Sequence, residues 1–194
     1  MRLNARVRKL LGVAALYALG GALTPYLWDW ADRFLKTWTL NSFDVSRDAL
    51  TPLAFALLSA VFFLRSWRAV LSVPLNWAAW LGAYHIALQM EQSGGPYFGK
   101  TFFEMCLAGF AGGLGVALAD SICHRKLVAP KNLSGAALIG TLAALPFGFW
   151  FHGYQAPWHA PCSFAIWQAS VGTYLYYVCT DGRKSAEMTD SPQR

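Results

Sequence analysis

Charged side chains are scarce in this chain. Asp, Glu, Lys and Arg make up 13% of its 194 residues, while hydrophobic residues make up 56%. A soluble domain carries roughly a quarter charged residues, and this much polar material cannot coat a water-soluble fold of the same size. Cysteine is equally uninformative as a framework. Cys106, Cys123, Cys162 and Cys179 form no C-x-x-C pair, which removes the usual spacing of a disulfide scaffold or a structural zinc site. Gly-x-Ser-x-Gly, Walker and catalytic Cys–His signatures are missing. A nucleotide-driven engine would have to be another chain, and no enzymatic activity is indicated. No apolar run carries an arginine ladder, which argues against a voltage sensor. The net charge of +6 lies in short basic clusters between apolar runs, a placement that fits membrane orientation and gives no reason to invoke nucleic acid.

What is present in abundance is apolar sequence. Runs at 10–28, 49–64, 69–90, 101–122, 133–152 and 163–180 approach the roughly 20 residues of a membrane-spanning helix. The second is the shortest, about 24 Å by helical rise. They predict an all-α polytopic membrane protein, a bundle of six transmembrane helices forming one domain over 1–180. The polar tail 181–194 is expected to be disordered. The first run begins like a signal peptide. However, it is long and ends in Pro25, Tyr26, Leu27 and Trp28 rather than a small-residue cleavage site, so it reads as a retained helix.

Orientation follows from the basic residues. An N-in, C-in arrangement puts Arg2, Arg6, Arg8, Lys9, Arg65, Arg68, Arg125, Lys126, Lys131, Arg183, Lys184 and Arg194 on the inner side. Only Arg33, Lys36, Arg47 and Lys100 remain outside. Both termini are therefore expected in the cytoplasm, with a bacterial inner membrane as the host. In the first outer loop, Trp30, Phe34 and Trp38 recur at four-residue spacing, with Asp29/Arg33 and Asp32/Lys36 as i, i+4 pairs. This pattern predicts a short helix lying in the outer interface.

Small residues recur at four-residue spacing in the fourth run (Gly109, Gly113, Ala117) and the fifth (Ala136, Gly140, Ala144, Gly148). Such faces let helix backbones approach where lipid supplies no hydrophobic drive. They predict a tight antiparallel hairpin, or alternatively a docking face for a partner membrane protein or a second copy. Ala14, Ala18 and Ala22 make a similar row in the first run.

Polar residues collect near the outer ends of the later runs: His85 and Gln89, Glu104, His152, His159 and Gln168, with Trp158 and Trp167 beside them. Ionisable groups inside spans are costly and are functional candidates. The simplest role for them is interfacial, at the level of the headgroups. As a group they predict an outward-facing pocket that binds a small solute, aromatics forming walls and His, Gln and Glu fixing orientation. That makes the leading expectation a solute-binding, transport or channel subunit. One alternative is a non-catalytic accessory subunit assembling a larger complex. A second is a haem- or metal-binding redox subunit, although no H-x-x-x-H or H-E-x-x-H spacing exists, and the sequence specifies neither cofactor nor metal. On the inner side, Asp120 and His124 read as a hydrated helix end. Asn76, deep in the third run, reads as interhelical glue.

Overall fold

The computed structural model describes residues 4–34, 39–40, 43–63, 67–92, 98–151 and 156–189. Among these residues the chain forms six α-helices: α1 (Ala5–Phe34), α2 (Val45–Phe63), α3 (Ala69–Gln92), α4 (Phe98–Ser121), α5 (Pro130–Phe151) and α6 (His159–Thr189). Each contains one of the apolar runs. Between α1 and α2, β1 (Thr39–Leu40) and β2 (Phe43–Asp44) pair antiparallel, Leu40 opposite Phe43. Pro25, Pro52, Pro74 and Pro146 lie inside helices without ending them. Elsewhere in the helices the hydroxyls of Thr24, Ser72 and Thr141 donate back to the carbonyls of Gly20, Ala69 and Ala137. Such local bonds satisfy polar groups where no water is at hand.

Two boundaries differ from expectation. The separate interfacial helix after residue 28 does not exist as such: α1 runs through Trp30 to Phe34. The spacing that suggested a new helix simply prolongs the old one, because Pro25 removes a single donor and nothing after it stops the helix. Trp38 lies outside the described residues. At the other end, α6 continues beyond 180 to Thr189. Hydropathy marks where apolar sequence stops, and a helix can run on into polar sequence.

Three helical segments, Ala5–Leu27, Thr101–Ser121 and Pro130–Phe149, are long and apolar enough to cross a membrane, and Pro52–Phe62 is a shorter apolar stretch. Consecutive helices pack side by side, and α6 closes back onto α1, so the six form a ring. The outside of that ring is apolar. Leu19, Val61, Val70, Phe103, Leu138 and Ile166, one from each helix, are 46–70% exposed. A girdle of large apolar side chains exposed on every helix of a ring is what a soluble monomer generally avoids.

The inside is held by close backbone approach and by aromatic rings. A Cβ at Gly109 would strike the Gly140 carbonyl and the Ala144 methyl, and one at Gly113 would strike the Ala136 carbonyl. The small residues of α4 and α5 thus face each other in a hairpin, while Gly148 accommodates the Phe102 ring. Gly21 brings α1 equally close to the Phe164 backbone of α6. Aromatic side chains then bridge the ring. Phe62, Tyr17, Phe55, Trp167, Trp80, Phe164 and Phe147 follow one another at centroid separations of 4.9–5.9 Å. Between α4 and α5 a 3-10 turn, Arg125–Val128, inserts the fully buried Leu127 into the end of the bundle. Asn132 Nδ2 fastens this turn by donating to the Lys126 carbonyl at 2.7 Å, and the Tyr174 hydroxyl donates to the Asn132 carbonyl at 3.2 Å.

The hairpin contact makes a direct prediction. Gly113→Leu should cost about 3 kcal/mol or more by overpacking. Gly82→Ala, where a Cβ meets nothing within 4 Å, should be neutral or stabilising by up to about 1 kcal/mol. Thermal unfolding in detergent, followed by size-exclusion chromatography of the soluble fraction, compares the two.

Candidate functional site

Four helices leave a space between them. On α3, Trp80, Ala83, Tyr84 and Ala87 follow i, i+3, i+4, i+7 spacing and so share one face. Met105, Ala108 and Gly109 of α4, Ala144 and Phe147 of α5, and Phe164 and Trp167 of α6 complete the wall. The alanines and the glycine are too small to fill the gap that the large rings hold open. The space between atoms here, part of it open to the outside, is about 490 Å³, of which about 50 Å³ admits the centre of a water-sized molecule. A second, smaller chamber is lined by Pro52, Phe55, Trp80, Val116, Phe164, Trp167 and Gln168; it encloses about 260 Å³, with about 10 Å³ for such centres. One water needs roughly 10–15 Å³ on this measure, so the smaller chamber is about one water in size.

Trp80, Phe164 and Trp167 line both chambers. They form a partition, with Trp80 edge-on to Phe164 at 5.8 Å and tilted against Trp167 at 5.9 Å. Gln168 is the polar residue among those that line the smaller chamber. Its Nε2 donates to Thr24 Oγ1 at 3.2 Å, while its Oε1 is buried and has no hydrogen-bond partner among the described residues. Thr24 can accept that bond because its own hydroxyl hydrogen goes to the Gly20 carbonyl.

The residues expected to form an outer polar pocket are divided by the structure. Trp167 and Gln168 are buried and line the chambers. Glu104 is buried within α4, one residue before the wall residue Met105, and lines neither chamber. His85 is half-buried with its ring 6.2 Å from that of Tyr84. Trp158 is exposed and His159 half-buried, and their rings touch at 3.8 Å. His152 and the side chain of Gln89 lie outside the described residues. The walls are therefore aromatic and aliphatic, with one amide, and the described histidines stand apart from them. Among the described residues no three His, Cys, Asp or Glu side chains gather as metal ligands.

A second polar centre lies at the opposite end of α4, and it corrects the sequence reading of Asp120 as a hydrated helix end. Asp120 is fully buried and accepts a 2.6 Å hydrogen bond from Asn76 Nδ2 of α3. The buried Leu127 beyond it closes that end of the bundle. Nearby in the core, the Tyr17 hydroxyl and Ser59 Oγ are 3.0 Å apart, both fully buried. The signal for the Asn76–Asp120 pair was available in the sequence. An amide and a carboxyl inside apolar runs on consecutive antiparallel helices each need a partner, and each is within reach of the other. No protein-family model, curated protein or solved structure matches the chain.

The Gln168–Thr24 bond can be weighed by substitution. Thr24→Val strands the amide donor in the core and should cost about 1–3 kcal/mol. Thr24→Val combined with Gln168→Leu should recover most of that loss, since both polar partners are then gone. A double-mutant cycle on thermal stability reads the difference.

Proposed function

We propose that this chain is a six-span membrane protein that binds a small solute with a flat apolar body and a hydrogen-bond donor, and passes it through the bundle. The observation that carries this reading is the pair of chambers divided by Trp80, Phe164 and Trp167, the smaller one lined by Gln168, whose buried Oε1 has no hydrogen-bond partner among the described residues. Ligand sites combine apolar walls with a few placed polar groups, and a buried acceptor without a donor is costly until something supplies one. As they stand the chambers are smaller than the roughly 300–1,000 Å³ of accommodating ligand pockets once only usable space is counted. A ligand of that size therefore needs the aromatic partition to move. The side chains facing the partition across the larger chamber, Ala83, Ala108 and Ala144, offer little resistance to a ring swinging toward them.

The apolar girdle on all six helices supports six crossings, and the basic residues support cytoplasmic termini in a bacterial inner membrane. α3 and α6 carry buried polar side chains, Asn76 on one and Gln168 on the other, that bond to neighbouring helices.

Fluorine NMR with two probes tests the binding site. Para-fluorophenol should bind about fivefold more tightly than fluorobenzene, the value of about one net hydrogen bond. Gln168→Leu should erase that preference, and Ala108→Phe should abolish binding of both probes. Equal binding of both probes to wild type and Ala108→Phe would remove the chamber from consideration.

Topology is read with the native thiols. Cys162 is exposed in the first turn of α6, and Cys123 follows α4 at the other end of the bundle. A membrane-impermeant maleimide added to intact cells should modify Cys162, and Cys123 only after permeabilisation. Burial pushes the Cys123 thiol above its ordinary value, so less thiolate is present at neutral pH. Its labelling should be slow there and accelerate as the pH rises.

A further inference from the structure

The Asn76–Asp120 pair leaves two oxygens unaccounted for. Asn76 Nδ2 donates to Asp120 Oδ1 at 2.6 Å, yet Asn76 Oδ1 and Asp120 Oδ2 are both buried and neither has a hydrogen-bond partner among the described residues. The two residues are 1% and 0% exposed. The Asp120 carboxyl has no hydrogen-bond partner other than Asn76 among the described residues. Tyr17 of α1, Cys179 of α6 and Cys123 just after α4 lie near it, and His124 follows one turn along the chain. Tyr17 is engaged with Ser59 of α2. Ser72, one turn before Asn76 on α3, donates to the Ala69 carbonyl. Arg68 and Lys126 stand beside Cys123 and Cys179 respectively, and among the described residues no cation pairs with Asp120. The backbone amides of Cys123 and His124 do bond to Asp120, but to its main-chain carbonyl.

A carboxylate in this position would be a buried charge with one neutral donor, an arrangement that costs several kcal/mol. One proton changes every part of it. Placed on Oδ2, it removes the charge and turns that oxygen into a donor. The only unfilled acceptor on the paired amide is Asn76 Oδ1. Acid and amide then close a ring with two hydrogen bonds, N–H to the acid carbonyl and O–H to the amide carbonyl, and both orphaned oxygens are satisfied. The same holds whichever way the amide is turned, since it offers one donor and one acceptor side by side.

We propose that Asp120 is a proton-binding site, held as the neutral acid in the resting protein by its two-bond pairing with Asn76 and sealed at that end of the bundle by Leu127. Loading takes one proton from water onto the carboxylate, and release returns it; no other group changes. This proposal stands independently of what the chambers between α3 and α6 bind.

Infrared spectroscopy of the protein in nanodiscs tests it. At neutral pH the wild type should show the carbonyl stretch of a protonated carboxylic acid, moving to lower frequency in heavy water. The band should vanish in Asp120→Asn and persist in Glu104→Gln, which removes the other buried carboxyl among the described residues. Asp120→Asn should also keep the wild-type unfolding temperature, because an amide reproduces both hydrogen bonds, whereas Asp120→Leu should lower it. Asn76→Leu provides a second route should the first variant fold poorly: its acid band should move to higher frequency as the hydrogen-bond acceptor is lost. Absence of the band in wild type, its survival in Asp120→Asn, its loss in Glu104→Gln, or an unmoved band in Asn76→Leu would each overturn the assignment.

Discussion

Apolar side chains gain little by leaving a lipid environment for a protein interior, so a bundle with this girdle has to be held by close backbone approach. The α4–α5 and α1–α6 contacts meet that requirement. At Gly109, Gly113 and Gly140 on one seam, and at Gly21 on the other, there is no space for even a methyl group. With these two pairs drawn together, the remaining width of the ring is set, and large rings occupy it. The chambers follow from the same geometry, because Trp80 and Trp167 hold helices apart opposite alanines that do not reach across.

A second consequence of the apolar surroundings concerns the polar side chains. Gln168 with Thr24, Tyr17 with Ser59, and Asn76 with Asp120 are pairs, each joining two different helices. No single helix can satisfy its own buried amide or carboxyl, so these bonds fix which helix faces which and at what rotation. They contribute specificity where the glycine seams contribute proximity, and at Gln168 and Asn76–Asp120 buried oxygens are left without a partner among the described residues.

Much of this organisation was legible in the sequence, and the unread parts have physical causes. Hydropathy located all six helical cores because long apolar runs have few other uses. The spacing of Gly109, Gly113, Ala136 and Gly140 announced a close hairpin because small residues at that interval line one helix face. The end of α1 was misjudged because a change of composition at Asp29 looks the same whether the helix stops or merely leaves the apolar layer. Asp120 was misread for a related reason. Depth was counted along its own helix, where it stands near the end, but its burial is set by the neighbouring helices, among them α3 with Asn76. Glycines at 20 and 21 did not stand out beside the alanine row of the same helix, and the close α1–α6 approach they permit depends on a partner more than a hundred residues away. The aromatic character of the chamber was half visible. The tryptophans were noticed, but histidines near the helix ends drew attention outward from the alanine-lined interior.

The closure of the ring by α1 and α6 also bears on how the molecule is made. The first helix enters the membrane with Tyr17, Gly21 and Thr24 already aligned on one face, yet the surface that covers them belongs to the last helix. Ser59 reaches Tyr17 early, through α2, but Thr24 waits for Gln168, 144 residues later in the chain. Throughout synthesis the nascent bundle is therefore an open arc with an unfilled groove along its first helix. Only when the final helix is in place does a row of hairpins become a closed structure.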